Sequence, residues 1–310
     1  MGKIINCFYD GAESGFGDFL RGSIHLYERT KTHGLDFAID ITHHPISEFI
    51  ETDNVKSFKK SCIKCLTKQI KKEGFKNYAD SYNQKVFDEL SSIEANQTKH
   101  IFSYFDYASR VKHNHQISFI NKSPKLSKDC SRFFKKNLNF SDEVRDEVKK
   151  ELNNHGLKNK KFNIIHFRLG DEKAFYKTKE RFFTPEFQEC FEICRKKSKT
   201  WKNPIVILSD SNELKTFIRD NAEREKIPLH VFHLESSHMQ EHPSGCEESN
   251  SRVNVSRNGL FYTCFDMMLI SLACRGLSYS VYDHGSGFFC WLCKIYNIPF
   301  KMQKFNSNEK

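Results

Sequence analysis

Short apolar runs alternate with amphipathic stretches along most of this chain, and several runs end in a polar, glycine-bearing turn. Lys3–Tyr9 (KIINCFY) predicts a first strand, and Asp10 to Asp18 (DGAESGFGD) predicts a loop. A helix is predicted from about Phe19 to Thr32, and a second strand over Leu35–Ile41. This order of strand, glycine loop, helix and strand is a Rossmann-type opening. Residues 55–95 read as helical, and the apolar or aromatic runs at 99–105 and 115–120 as strands. A charged helix runs from Ser141 to about Leu157, with Ser141 and Asp142 as cap candidates.

The second half repeats the pattern more clearly. Strands are predicted at Phe162–Phe167, Pro204–Leu208, Leu229–Leu234 and Leu277–Tyr282. Helices are predicted around Pro185–Lys197, at Asn212–Glu225, over the strongly apolar Phe261–Cys274, and from Gly287 to Tyr296. Strands alternating with helices imply parallel, doubly wound sheets. Asn154-His155-Gly156 is a plausible boundary, which divides the chain into 1–157 and 158–310, two Rossmann-like domains.

Composition changes the picture at three points. With 310 residues, 38% hydrophobic and 28% charged, the chain can bury two cores, and its 29 Phe are expected to fill them. The net charge of +10 is concentrated between Lys56 and Lys76. That run reads as a solvated helix face or as an electrostatic funnel for an anionic ligand, and no nucleic-acid signature accompanies it. Eleven cysteines, including Cys62-x-x-Cys65 and Cys290-x-x-Cys293, lie in apolar or helix-like runs without clustered histidines. They read as reduced, mostly buried thiols, with zinc the lesser reading of the two Cys-x-x-Cys spacings. No stretch approaches the roughly 20 apolar residues of a membrane span. A native Met1 start implies a cytosol-like compartment, and a trimmed enzyme of the Golgi or endoplasmic reticulum lumen would read the same.

Four segments carry candidate chemistry. In the first, a buried strand ends in His166-Phe167-Arg168-Leu169-Gly170-Asp171. Ligands of open α/β sheets sit beyond the carboxyl ends of strands, where Arg168 would offer a fork of donors to a phosphate. Gly170 permits a tight turn, and Asp171 would orient Arg168 or reach a hydroxyl. A plain ion pair at a strand end is the competing reading. In the second, Gly15-Phe16-Gly17-Asp18 precedes a helix, either as an anion-binding helix start or as a turn and cap. In the third, Ser209-Asp210 follows the strand at Pro204–Leu208 and reads as a helix cap or a ligand contact. In the fourth, Asp266 lies on the apolar helix, and Ser280 and Gly285-Ser286-Gly287-Phe288 lead into the last helix.

The string His166-x-Arg168-x-Gly170-Asp171 resembles the hallmark of the fucosyltransferase superfamily. That superfamily contains α1,2- and α1,6-fucosyltransferases, nodulation fucosyltransferases and protein O-fucosyltransferases. The other three segments follow in family order, although Tyr282-Asp283-His284 departs from the family's last turn, and residues 45–140 carry no likeness. The resemblance implies a GT-B-like fold, two Rossmann-type domains facing each other across a cleft. It also implies GDP-fucose as donor and Arg168 on its β-phosphate. The remaining donor contacts would fall on His166, Gly170, Asp171, Gly15, Phe16, Gly17, Ser209, Asp210, Asp266, Ser280, Gly285, Ser286, Gly287 and Phe288. The acceptor would be a hydroxyl of a glycan or glycoprotein.

The chain contains no Asp-x-Asp, the carboxylate pair that commonly holds a divalent ion at a sugar-nucleotide diphosphate. No metal or cofactor is therefore expected, and the expected reaction is an inverting single displacement. Glu13 and Asp18 are the preferred bases, with His43 and His44 as further candidates. Three rival readings stand beside this one: a GT-B enzyme using another nucleotide sugar, a non-catalytic nucleotide- or glycan-binding protein, and a Rossmann oxidoreductase. In the last, Asp36 or Asp40 would contact a ribose.

Overall fold

The computed structural model describes residues 1–9, 15–52, 63–65, 78–103, 121–122, 125–169, 186–235, 256–282 and 285–305. The first half holds a four-stranded parallel sheet in the order β2-β1-β5-β4. Its strands are β1 (Lys3–Tyr9), β2 (Asp36–His43), β4 (Lys64–Cys65) and β5 (Thr98–Phe102). Helix α1 (Phe16–Thr32) links β1 to β2, and α2 (Tyr78–Ser91) precedes β5. A 3-10 turn at Pro45–Glu48 leads into β3 (Ile50–Glu51), which pairs antiparallel with β6 (Asn139–Phe140). Helices α3 (Lys128–Asn137) and α4 (Asp142–Asn154) flank β6.

The second half holds a five-stranded parallel sheet in the order β11-β10-β7-β8-β9. Its strands are β7 (Asn163–Arg168), β8 (Ile205–Ser209), β9 (Leu229–His230), β10 (Arg275–Ser280) and β11 (Phe300–Lys304). The helices between them are α5 (Phe187–Thr200), α6 (Asn212–Glu225), α7 (Arg257–Leu272) and α8 (Gly287–Tyr296). Counted from β9, the strands run third, second, first, fourth and fifth in chain order, as in a dinucleotide-binding Rossmann sheet.

Alternation along these strands sorts the core into two layers. Ile165, Phe167, Ile205 and Ile207 pack with Cys190, Phe191, Leu214 and Ile218 of α5 and α6. On the opposite face Ile164, Val206 and Leu208 join Phe265 and Leu269 of α7 and Phe289 and Leu292 of α8. That second layer does not stop at the sheet. It continues through Phe16, Phe19 and Leu20 of α1, Phe134 of α3 and Val144, Val148 and Leu152 of α4. Helix α7 is apolar around its circumference because it packs on α4, on α8 and on the 3-10 turn.

Several expectations are corrected. Residues 55–95 are not helical throughout: β4 lies among them, and the basic run from Lys56 to Lys76 falls largely outside the described residues. The strand at 115–120 also lies outside them. The strand expected over Leu229–Leu234 stops at His230, because β9 pairs with β8 only through Leu229 and His230. Its continuation turns toward α7, where Phe232 meets Phe265 and His233 meets Asp266. Eight cysteines fall among the residues whose side chains are described; all are free thiols and seven are buried, Cys290 and Cys293 included. No helix among the described residues is long and apolar enough to cross a membrane.

Candidate active site

Strand β7 is the first strand of the second sheet, with β8 on one side and β10 on the other. The strand order therefore reverses between β7 and β10, and a crevice opens at such a point beyond the carboxyl ends. Arg168 closes β7 there, opposite Ser280 of β10, while Phe167 stands opposite Ser209 of β8.

Asp210 organises this end of the sheet. One of its carboxylate oxygens accepts from Nη1 of Arg168, and the other accepts from the backbone N–H of Leu169 at 2.8 Å. The Arg168 guanidinium also lies 5.4 Å from the centre of the Tyr282 ring. The Arg168 side chain keeps 24% of its surface exposed, so its head is held in orientation yet reachable. The serines nearby shape the turns. Ser280 Oγ accepts from the Tyr282 N–H at 3.0 Å, and Ser209 Oγ accepts from the Ser211 N–H at 3.1 Å. Ser286 caps α8 by accepting from the Phe289 N–H, and Gly285 takes φ +67°, a conformation that favours glycine.

The start of α8 meets the start of α1. A Cβ placed on Gly17 would lie 2.3 Å from the Phe288 backbone nitrogen, so only glycine allows the two helices to approach this closely. Phe16 is buried against Phe8 and Phe19. Both residues, expected as donor contacts, pack tightly against neighbouring elements. Gly15 is the N-cap position of α1, in extended conformation. Asp18 pairs with Arg21 at 3.0 Å and remains 41% exposed, and its carboxylate faces Gly287.

His166 is likewise placed inward. Its ring stacks on Phe289 at 5.2 Å, and Nδ1 lies 3.0 Å from Ser278 Oγ. Burial pushes its pKa down to about 4, so the ring is neutral. It supports the strand end from beneath and does not line the mouth. His44 Nδ1 accepts from the Ile46 N–H at the 3-10 turn, with its ring stacked on Phe8, so the turn geometry already uses that nitrogen. His43 lies at the end of β2 opposite Tyr9. Glu13, Gly170 and Asp171 lie outside the described residues.

Beside Asp210 is a buried polar group that sequence reasoning missed except for Asp266. His233 Nε2 lies 2.7 Å from Asp266 Oδ1, and the His233 ring stacks on Tyr262 at 4.3 Å. The other nitrogen, Nδ1, is buried and has no hydrogen-bond partner. Lys215 is 1% exposed and donates to the Glu235 carbonyl at 2.7 Å. Burial pushes its pKa down to about 8, against the opposing pull of Asp266 and Asp210. One signal of Lys215 was legible: it sits on the stripe of α6 that also buries Leu214, Ile218 and Ala222. His233 had no such signal, because its strand ends before it.

The oxidoreductase reading finds no support in the first sheet. Asp36 opens β2 opposite Lys3, at the amino end of the strand and away from any ligand beyond the carboxyl ends. Asp40 is buried, and its Oδ1 accepts from the Thr42 N–H.

The architecture has counterparts among solved structures. Fucosyltransferase NodZ from Bradyrhizobium matches with a TM-score of 0.52 at 12% identity, over 99% of this chain and 95% of that one. The chain has the fold of a fucosyltransferase. The NodZ alpha-1,6-fucosyltransferase soaked with GDP-fucose gives the same values. POFUT1 in complex with GDP-fucose aligns over 98% of both chains at 12% identity, with a TM-score of 0.47. No protein-family profile and no curated protein matches the chain.

Proposed function

We propose that this protein belongs to the fucosyltransferase superfamily and transfers fucose from GDP-fucose to a glycan or protein hydroxyl, with inversion and without a metal ion. The observation that carries the reading is Arg168 at the point where the second sheet reverses its strand order, with its guanidinium set by Asp210. The acceptor oxygen attacks the anomeric carbon from the face opposite GDP. The bond from that carbon to the β-phosphate oxygen breaks, and the acceptor proton passes to a base, for which Glu13 and Asp18 are proposed. Arg168, the Gly170-Asp171 turn and the Ser280 to Ser286 turn stabilise the departing diphosphate. The purine lies, in this reading, toward Asp266, which His233 holds in place. In this reading residues 1–157 carry the acceptor and 158–310 the donor, facing each other across a cleft. His166, Phe16 and Gly17 act by positioning the site.

A thermal-shift panel of GDP, GDP-fucose, UDP, dTDP and NAD tests the donor. GDP at 100 times its dissociation constant should add about 2.7 kcal/mol of stability. Stabilisation by UDP or NAD and not by GDP would sink the assignment. Arg168→Ala should fold and lose roughly 10²–10³ in turnover, the usual cost of removing one preorganised donor. Arg168→Lys should also be poor because it lacks the planar fork. Turnover in EDTA should match turnover without it, and a loss that Mn²⁺ restores would overturn the metal-free reading.

A further inference from the structure

Three residues before His233, a histidine pair bridges the two halves. His155 is the C-cap residue of α4, and His230 is the last residue of β9, the edge strand of the second sheet. Their Nδ1 atoms are 3.3 Å apart, and their rings are nearly perpendicular, at 88°. Phe232 packs edge-on against the His155 ring at 5.0 Å. On the far side of His155, Nε2 lies 3.7 Å from Glu151 Oε2.

We propose that His155 and His230 bind a borderline divalent transition-metal ion, zinc in the first instance, which staples α4 to β9. Three observations converge on this site. First, an ion about 2.05 Å from each of two nitrogens 3.3 Å apart sees them at an angle of about 107°, close to tetrahedral. Second, the Glu151 carboxylate lies 3.7 Å from the other nitrogen of His155, longer than a hydrogen bond but near enough for its negative charge to favour a cation on this ring. Third, the ion would sit at the carboxyl end of a 13-residue helix, where the helix dipole favours positive charge. Among the described residues no group of three or more His, Cys, Asp or Glu side chains converges, so water completes the coordination. Imidazole suits zinc, copper and nickel, and magnesium and calcium prefer oxygen ligands. In the tautomer in which His230 Nδ1 donates to His155 Nδ1, binding moves that proton to His230 Nε2 and needs no net proton loss.

The full chain, stripped with EDTA and exchanged into chelator-free buffer, is titrated with Zn²⁺ by calorimetry and followed by melting temperature. Wild type should bind with a saturable component of one ion per chain, accompanied by a rise in melting temperature. His155→Gln and His230→Gln should each weaken that component tenfold or more, while Mg²⁺ and Ca²⁺ at the same concentration do nothing. Co²⁺ should give the visible bands of a tetrahedral site in wild type only. Zinc binding that survives both substitutions, or no saturable binding, would reduce the pair to a hydrogen bond and overturn the proposal. If His230→Gln does not fold, His155→Gln decides alone, its side chain being 39% exposed.

Discussion

Burial has fixed the charge state of two histidines, one of them, His166, at the end of the site's central strand, and each leaves a signature in the pH dependence of stability. His166 titrates near pH 4 when folded and near 6.5 when unfolded. As pH falls, the unfolded chain takes the proton first. Its contribution to stability is therefore full above about pH 6.5 and is lost progressively toward pH 4. A shift of that size is worth roughly 3 kcal/mol over the whole window. His25 is also buried and pushed down to about 4, so it adds to the same slope. Urea melts of wild type and His166→Gln at pH 7 and pH 5 should show the variant losing less stability between the two values. Equal losses would show that His166 is not held neutral by the fold. The sequence placed Arg168 correctly at a strand end, but it did not show which face His166 takes. Both faces of β7 are buried, so an unbroken apolar strand carries no period-two signal.

At the scale of elements, a close backbone approach between α1 and α8 depends on one missing side chain. Gly17→Val would push atoms into the Phe288 nitrogen and the Gly287 carbonyl carbon, which are backbone and cannot turn aside. Overpacking of this kind costs about 1–3 kcal/mol. Because α8 carries the Ser286 cap and the turn back to Ser280, GDP affinity should fall together with melting temperature. Gly15→Val meets no atom within 4 Å and serves as the control for melting temperature. A Gly17→Val variant that melts and binds GDP like wild type would mean that the helices separate without consequence. The sequence made glycine at this position legible as a helix-start feature but not as a contact surface, since the partner lies some 270 residues away. Other elements were plain in the chain. Asn212–Glu225 and Gly287–Tyr296 were placed to the residue, although the cap of the first is Ser211 and not the Ser209-Asp210 pair that the sequence suggested; Ser286 caps the second. Helix α3 was missed because it is short and rich in Lys and Arg. It is held by burying Cys130 and Phe134, a stripe too narrow to announce a helix. Strand β11 was missed because only Met302 of its five residues is buried.

For the whole molecule, what joins the two sheets decides how it unfolds. Hydrogen bonds such as that from Ser131 Oγ to the Ile295 carbonyl do so, and two further kinds of contact span the same seam. Arg257 of α7 pairs with Glu48 at 2.5 Å and with Glu143 at 2.9 Å, and lies 5.0 Å from the Phe49 ring centre. Its side chain is 52% exposed, however, and exposed pairs are worth about 0–1 kcal/mol each. The second contact is the apolar layer in which Leu260 and Phe265 of α7 share a core with Val144 and Val148 of α4 and Phe49. Truncating one buried leucine costs about 2–5 kcal/mol. The apolar layer therefore outweighs the ion pairs, and the halves should melt together although each has its own parallel sheet. Scanning calorimetry should show one transition, with matching calorimetric and van't Hoff enthalpies. Leu260→Ala should lower that transition strongly and leave it single, and Arg257→Ala should barely move it. Two resolved transitions in wild type, or an Arg257→Ala variant less stable than Leu260→Ala, would show that the sheets are separate folding units tied at the surface.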